Sequence, residues 1–273
     1  MVGHVEWVQF ARVAHVPLAG EVVHATDPFE EPAGGGAVAA VQLARLAAGA
    51  ALFTALGSDE YGERSTTRLR QLGVSVHAAR LTQPTRRAIT LVDGAGERTI
   101  TTFRPRLEPE GEQEGVGWGE LGALDGVYFT AGDAAALRTA RAASRVLVAS
   151  PRASHALGHG VPLDALVLSG EDQAERRAAA PAEEEAELVV LTEGAHGGRY
   201  RTRAGASGRW QAAPLPGPAV DSYGCGDSFA AGLTYGLAAG LELPAALELA
   251  ARCGAVCLTG RGPYERQLAH AAP

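Results

Sequence analysis

Short runs of largely apolar residues recur along the chain, separated by segments with a helical pattern. The apolar runs are residues 51–57, 127–130, 146–149, 165–168 and 188–191. A strand that is buried on both faces appears as a continuous apolar run, which is typical of a parallel sheet covered by helices. The helical segments are residues 37–48, 58–73, 134–143 and 171–180. This alternation predicts an α/β fold with a doubly wound, mostly parallel sheet and helices on both faces.

A second pattern, rich in residues that favour strands, interrupts this alternation. The strands it predicts are an opening strand in 2–13, a short strand at 20–25, and the two arms of a hairpin at 88–92 and 98–103. Asp93 and Gly94 stand in the hairpin turn, which is a strong local signal. We therefore expect one domain, residues 1–273, with a small β lid contributed by about 9–31 and 84–106.

The basic residues restrict the chemistry available to the chain. Lysine and arginine together number 24, and all of them are arginine. A Walker A loop, a protein kinase active site and a Schiff-base enzyme each require a lysine side chain. The composition excludes these three classes. Any phosphate chemistry must therefore use backbone N–H groups, arginines and metal ions.

Charge and cysteine content limit the expected partners. The formal net charge is −7, which argues against a nucleic-acid-binding surface and favours a small-molecule substrate. The three cysteines, Cys225, Cys253 and Cys257, show neither zinc-site spacing nor the pattern of a disulfide framework. The chain opens with no basic leader, and no uninterrupted apolar stretch is long enough for a membrane span. We expect a cytoplasmic protein without membrane association.

The stretch 221–232 reads Asp-Ser-Tyr-Gly-Cys-Gly-Asp-Ser-Phe-Ala-Ala-Gly, a loop that leads into an apolar helix. Glycines at 224 and 226 leave backbone N–H groups uncovered where a helix begins, which predicts an anion site. Asp227 lies in the first helical turn beside it. A carboxylate there is either a general base or a residue that only stabilises the helix start, and the stretch alone leaves both readings open.

Two further glycine-rich segments are candidate ligand-binding loops: one precedes a helix and the other follows a strand. Residues 34–36 precede a helix. These three glycines either let a ligand approach the backbone or simply mark the break before the helix, and the local pattern slightly favours the second interpretation. Residues 192–198 follow an apolar strand, at the sheet edge where α/β proteins bind ligands. No helix follows them directly, so they are not a dinucleotide-binding fingerprint.

Several of these segments together resemble the ribokinase-like carbohydrate kinase family. Residues 221–229 resemble its C-terminal signature Asp-x-x-Gly-Ala-Gly-Asp-x-Phe, with Cys225 at the usual alanine position. The other matching segments, in order, are the glycine triplet at 34–36, Leu-Gly-Ser-Asp-Glu-Tyr-Gly at 56–62, Gly-Glu-Arg-Thr at 96–99 and Thr-Glu-Gly-Ala-His-Gly at 192–197. The resemblance covers nearly the whole chain and implies the ribokinase-like fold.

The resemblance also implies a reaction and its residues. Asp227 would take the proton from a substrate hydroxyl as it attacks the γ-phosphate of ATP, and the N–H groups of Gly224, Cys225 and Gly226 would hold the transferring group. The implied nucleotide contacts are Thr192, Gly194, Gly197, Cys253 and Gly254. The implied metal contacts are Asp172 with Glu171 for Mg²⁺, and Asp221 with Ser222 for a monovalent cation such as K⁺ in some members.

The acceptor end departs from the family pattern. The family commonly has an Asp and an Asn that grip sugar hydroxyls, and here they fall near Val8 and on Val38 or Ala39. Apolar side chains cannot form the hydrogen bonds that select a sugar. The residues left as acceptor contacts are Gly34, Gly35, Glu6 and Arg98, and Arg98, like Arg104, is alternatively a solubilising charge.

The family's metal-organising Asn is Ser169 here. We expect an ATP-dependent phosphotransferase acting on a hydroxyl of a small sugar, sugar acid or nucleoside. The alternative is a family member that has kept the fold and binds ligand without turnover. The lid strands also suggest a homodimer in which two lids pair.

Overall fold

The strands and helices follow the alternation of the sequence. A computed structural model describes residues 1–122 and 124–270. Its strands are β1 Glu6–Arg12, β2 Thr26–Ala33, β3 Ala50–Gly57, β4 Val74–Leu81, β5 Arg87–Val92, β6 Arg98–Phe103, β7 Leu124–Phe129, β8 Ser144–Ala149, β9 Leu163–Ser169, β10 Ala186–Thr192, β11 Gly198–Thr202 and β12 Ser207–Trp210. Its helices are α1 Gly35–Leu46, α2 Glu60–Gln71, α3 Ala134–Ala143, α4 Gln173–Glu183, α5 Cys225–Ala238 and α6 Leu243–Leu258.

The large sheet is mostly parallel, as predicted. Strands β7, β8, β9 and β10 pair in parallel, and antiparallel β11 and β12 extend that edge. On the other side Val2 forms parallel bridges to both Phe129 of β7 and Phe53 of β3. Strand β4 then pairs in parallel with β3. The N-terminal residues thus join the two parts of the sheet.

Alternate side chains of these strands enter two different cores. Leu52 and Val148 pack with apolar residues of α1, α5 and α6, whereas Phe53 and Leu147 pack with residues of α3 and α4. Successive side chains of a strand point to opposite faces of a sheet. Helices therefore cover both faces of the large sheet, which confirms the predicted fold class.

A smaller sheet has the order β2-β1-β5-β6. Strand β1 pairs in parallel with β5 and antiparallel with β2, and β5 and β6 form the predicted hairpin. The predicted strand at 20–25 is wrong, because the strand that pairs with β1 begins at Thr26. Pro28 and Pro32 lie within that strand, and they are tolerated because β2 is at the sheet edge. That the small sheet closes over the site as a lid stays a prediction.

The fold brings the N-termini of α1 and α5 together. A Cβ built on Gly35, the first residue of α1, would lie 2.9 Å from Oδ1 of Asp227 in the first turn of α5. Within residues 1–122 and 124–270, no helix has both the length and the apolar character needed to span a membrane.

Candidate active site

The segment 221–227, which we call the anion loop, leads into a helix, as predicted. Helix α5 begins at Cys225, and its N-cap Gly224 has φ 82°, in the left-handed region that favours glycine. The backbone N–H groups of the first turn have no partner four residues earlier within the helix, and the helix dipole is positive there. A Cβ on Gly226 would meet no atom within 4 Å. The open backbone at Gly226 suits the approach of an anion.

The carboxylate of Asp221 holds this loop in shape. Its Oδ1 accepts the N–H of Tyr223 at 2.8 Å and its Oδ2 accepts the N–H of Gly262 at 3.0 Å. The side chain is buried, so these two bonds replace the water it lost on folding. Asp221 thus links the anion loop to the segment after α6. A monovalent cation beside Asp221 and Ser222 stays a prediction.

The glycine triplet is required by close packing. Gly34 has φ 87°, and a Cβ there would lie 2.9 Å from Nε2 of His4. A Cβ on Gly36 would lie 2.5 Å from the carbonyl oxygen of His4. Contacts with His4 therefore leave no room for a side chain at Gly34 or Gly36, and the approach of a ligand to this backbone stays a prediction. Gly35 lies beside Asp227, whose Oδ1 would be 2.9 Å from a Cβ on Gly35.

The pKa of Asp227 is set by two opposing effects. Burial raises the pKa of this carboxyl above its ordinary value, and the positive charges of Arg152 and then Arg98 oppose that rise. The side chain nevertheless remains partly exposed. In return, the charge of Asp227 is the chief reason that the pKa of Arg152 is raised. A raised pKa is what a general base working near neutral pH requires.

The structure places Arg98 at the anion loop. Its Nη1 donates to the carbonyl oxygen and to Oγ of Ser222, both at 3.0 Å. The tip of the hairpin also touches the loop, since the N–H of Ser222 is 3.4 Å from the carbonyl oxygen of Gly96. Arg98 was predicted as an acceptor contact. These contacts tie the small sheet to the anion loop, and a contact of Arg98 with an acceptor stays a prediction.

The predicted nucleotide loop lies at the carboxyl end of β10. Thr192 ends that strand, and a short 3-10 turn at Gly194–His196 follows. Gly197 has φ 75°, and a Cβ there would lie 2.1 Å from the carbonyl oxygen of Trp210. A Cβ on Gly194 would lie 3.7 Å from a carboxylate oxygen of Glu171. The loop and one of the predicted metal ligands are therefore neighbours.

The two predicted Mg²⁺ ligands differ in their surroundings. Asp172 caps α4, and its Oδ1 accepts the N–H groups of Ala174 and Glu175 at 2.8 and 3.1 Å. Across residues 1–122 and 124–270, no set of three or more histidine, cysteine or carboxylate side chains is arranged to hold a metal ion. Mg²⁺ commonly binds through one or two carboxylates, substrate phosphates and water. Glu171 beside Gly194 fits that mode, and Asp172 keeps only one oxygen free of backbone contacts.

Glu175 is a site residue that the sequence pattern did not reveal. Its Oε1 accepts from Nε of Arg152 at 2.8 Å and its Oε2 accepts the N–H of Ser169 at 2.9 Å. Glu175 lies three residues after Asp172, the predicted Mg²⁺ ligand. It is part of a helix, where an acidic side chain is usually exposed to solvent. Only the fold shows that it holds the arginine that faces Asp227.

The predicted adenine contact at Cys253 is wrong. Its side chain is fully buried between α5 and α6, where a Cβ on Gly232 would lie 2.7 Å from its Sγ. A residue packed at a helix crossing cannot reach a ligand. Gly254 is partly exposed and lies near the start of α5, since a Cβ there would be 3.3 Å from the carbonyl oxygen of Cys225. The assignment of Gly254 stays a prediction.

The predicted acceptor contact Glu6 is buried, as is the nearby His4. Glu6 forms an ion pair with Arg86, whose Nε lies 3.1 Å from Oε2, and burial raises the pKa of its carboxyl. The hydroxyl of Tyr223 in the anion loop accepts the N–H of Gly34 at 3.3 Å. The apolar residues at the family's sugar-binding positions, Val8 and Val38, are fully buried in the core. They cannot contact an acceptor.

Comparison with known proteins decides the family. The model of the pfkB family carbohydrate kinases matches residues 1–153 and 162–269. The chain belongs to the pfkB family of carbohydrate kinases. It is therefore a member of a carbohydrate kinase family, and the matched residues include the anion loop.

Individual relatives agree with this assignment. The ATP-dependent ribose-1-phosphate kinase of Halopiger xanaduensis is 31% identical over 281 residues, covering 93% of this chain and 89% of that protein. The acarbose 7(IV)-phosphotransferase of Actinoplanes sp. is 44% identical over 75 residues, which span only 27% of this chain and 25% of that protein. The ribokinase structure from Thermotoga maritima has a TM-score of 0.76 at 20% identity, covering 98% of this chain and 95% of that one. The last likeness shows the fold.

Proposed function

We propose that this protein transfers the γ-phosphoryl group of ATP to a hydroxyl of a small sugar, sugar acid or nucleoside. The observation that carries the proposal is the position of Asp227. Its carboxylate stands between the first turn of α5 and the glycine-lined start of α1, with Oδ1 2.9 Å from a Cβ built on Gly35. An acceptor hydroxyl entering beside Gly35 would therefore meet the base, while the transferring phosphate meets the helix N-terminus.

The residues divide the chemistry between them. Asp227 accepts the hydroxyl proton, the acceptor oxygen forms a bond to the γ-phosphorus, and the bond to the bridging oxygen breaks to release ADP. The N–H groups of Gly224, Cys225 and Gly226 stabilise the charge on the transferring group, which is the main requirement of phosphoryl transfer. Mg²⁺ bound with ATP would neutralise part of the phosphate charge. Glu171, the carboxylate beside the nucleotide loop, would help to hold this metal ion.

Arg152 and Arg98 provide fixed positive charge at the same place. Both lower the pKa of Asp227, against the effect of burial. Glu175 orients Arg152 through its 2.8 Å contact with Nε. In a lysine-free chain these arginines take the place of the lysine that many phosphate-transfer sites use.

The name of the Halopiger relative, ATP-dependent ribose-1-phosphate kinase, extends the acceptor panel to phosphorylated pentoses. The buried Val8 and Val38 argue against a sugar held by the family's usual hydroxyl contacts. The absence of the family's polar sugar-binding side chains also motivates the alternative, a protein that binds nucleotide and ligand without phosphoryl transfer.

A panel assay tests the proposal. The wild-type protein is incubated with ATP, Mg²⁺ and sugars, sugar acids, sugar phosphates or nucleosides, and phosphorylated products are identified by mass spectrometry. We expect one class of acceptor to gain a single phosphoryl group with matching ADP formation. Nucleotide binding by calorimetry, with no product from any member of the panel, would instead support the alternative.

A further inference from the structure

The Gly-Ser-Asp-Glu-Tyr-Gly segment at residues 57–62 forms a socket for a threonine from another part of the chain. Thr85 lies in the connection between β4 and β5 and is fully buried. Its hydroxyl donates to Oδ1 of Asp59 at 2.6 Å and accepts the N–H of Gly57 at 3.0 Å. Its own N–H donates to Oδ2 of Asp59 at 2.9 Å. We call these three hydrogen bonds the threonine junction.

Close packing around the threonine junction accounts for both glycines of the segment. A Cβ on Gly57 would lie 2.4 Å from the backbone nitrogen of Thr85. A Cβ on Gly62 would lie 2.1 Å from the carbonyl oxygen of Gly57. Asp59 also caps helix α2, because its Oδ1 accepts the N–H of Gly62 at 2.9 Å. One carboxylate therefore fixes both the start of α2 and the chain that enters β5.

The residue after Thr85 reaches the predicted acceptor end of the site. The carbonyl oxygen of Arg86 accepts the N–H of Trp7 at 2.9 Å. Nε of Arg86 lies 3.1 Å from Oε2 of Glu6, and both side chains are largely shielded from water. A shielded carboxylate keeps close to its counter-ion, because separation would leave a charge unpaired in a poorly hydrated place. The position of the Glu6 carboxylate therefore depends on that of Arg86.

We infer that Asp59 is a positioning residue for the acceptor. Through the threonine junction it fixes Arg86, and Arg86 holds the Glu6 carboxylate at which the acceptor binds. The inference rests on the proposed kinase function, because it assigns the acceptor to the Glu6 end of the site. It gives the segment 57–62 a role in acceptor affinity that is separate from phosphoryl transfer at Asp227.

Substitutions in the threonine junction test the inference. Asp59→Asn and Thr85→Val each remove hydrogen bonds of the junction and keep the size of the side chain. We expect kcat/KM for the best acceptor to fall about 10- to 100-fold, mainly through a higher KM, because small errors in the position of a contacting group cost that much. The KM for ATP should stay close to the wild-type value. Thr85→Ser keeps the hydroxyl and should retain most of the acceptor affinity.

Asp133→Asn is the matched control for a purely structural effect. Asp133 caps helix α3, where its Oδ1 accepts the N–H of Ala136 at 2.7 Å and, from another loop, the N–H of Gly111 at 2.9 Å. It combines a helix cap with a tie to a second segment, as Asp59 does. Loss of either cap should lower the melting temperature on the order of 3 °C, but only Asp59→Asn should raise the acceptor KM. Equal acceptor KM values for the two variants would overturn the inference.

Hydrogen exchange separates this inference from the proposed function. The N–H of Trp7, which donates to Arg86, should exchange faster in Asp59→Asn than in Asp133→Asn, whether or not an acceptor is phosphorylated. Mass spectrometry of peptides that contain Trp7 measures this. If the wild type transfers phosphate to no acceptor, the proposed function fails, and faster exchange at Trp7 in Asp59→Asn still supports the positioning of Arg86. Equal exchange in an active kinase would remove the positioning role and leave the kinase.

Discussion

The two ends of the site are built in different ways. At the phosphate end the anion site is one continuous segment, the anion loop, shaped by backbone geometry at Gly224 and an internal carboxylate contact from Asp221. The predicted acceptor end brings together His4, Glu6, Gly34 and Arg86 from three separate parts of the chain. The first end depends on a local conformation, whereas the second depends on how distant loops meet.

This difference predicts how each end responds to change. A backbone anion site tolerates few substitutions, because only glycine adopts the required φ without strain. A side-chain site can exchange one recognition group for another while the fold is kept. The phosphate end is therefore expected to be common to members that act on different acceptors, and the acceptor end to differ between them.

Substitution of the N-cap glycine tests the backbone end. Gly224→Ala has to hold φ 82° and places a Cβ 2.8 Å from Cγ1 of the buried Val38. We expect a loss of unfolding free energy on the order of 3 kcal/mol, from backbone strain and overpacking. Urea denaturation followed by circular dichroism measures it.

Gly240→Ala is the control, because Gly240 has φ 76° after the same helix but no atom within 4 Å of a Cβ. It isolates the cost of the conformation, about 1–2 kcal/mol. Equal losses for the two variants would show that contact with Val38 adds nothing.

Substitution at the start of α1 tests the junction between the two ends. Gly35→Ala puts a Cβ 2.9 Å from Oδ1 of Asp227, which displaces the carboxylate and narrows the acceptor space. We expect kcat/KM to fall on the order of 10²-fold, since small errors in the position of a reacting group cost that much. Gly49→Ala, with no atom within 4 Å of its Cβ, should behave as wild type. Unchanged kinetics for Gly35→Ala would place the acceptor elsewhere.

The pH dependence tests the electrostatic link between the ends. Asp227 must be deprotonated to act as a base, so kcat/KM should rise with pH through its raised pKa. Arg152 lowers that pKa, so Arg152→Gln should move the acidic limb to higher pH. Arg98→Gln should move it the same way by less, because Arg98 makes the smaller contribution. A limb that stays in place, or moves to lower pH, contradicts the assignment.

The thiol in the anion loop gives the smallest expected effect. A cysteine at a helix start predicts a lowered pKa and some reactivity, but here contact with Cys257 and burial raise the pKa of Cys225 well above its ordinary value. Alkylation of Cys225 by iodoacetamide at pH 8 should be at least about tenfold slower than that of a free cysteine. Faster alkylation would mean that the helix dipole prevails over burial.

The sequence predicts the fold and the phosphate end because both leave local signals. Continuous apolar runs specify buried parallel strands, and two glycines flanking Cys225 specify an open helix N-terminus. The same local reasoning placed a strand at 20–25, because it could not show that β2 is an edge strand that accepts Pro28 and Pro32.

The acceptor end leaves no such signal. Arg86 and Arg152 are two of 24 arginines, and nothing in their local sequence separates them from solubilising charges. Glu175 likewise reads as one more acid on a surface helix. The four-residue spacing of Cys253 and Cys257 on a helix predicts two buried apolar side chains, and both are buried. The contact of Cys253 with Gly232 in another helix, which excludes the predicted adenine contact, leaves no local signal.

The most direct test of the central claim is phosphoryl transfer by Asp227→Asn. Transfer from ATP to the best acceptor is measured in a single turnover for the wild type and the variant, with ATP affinity determined by calorimetry. We expect a rate reduced on the order of 10²- to 10⁴-fold, as when a general base is removed, and nucleotide affinity close to that of the wild type. An Asp227→Asn protein that transfers phosphate at the wild-type rate would contradict the account.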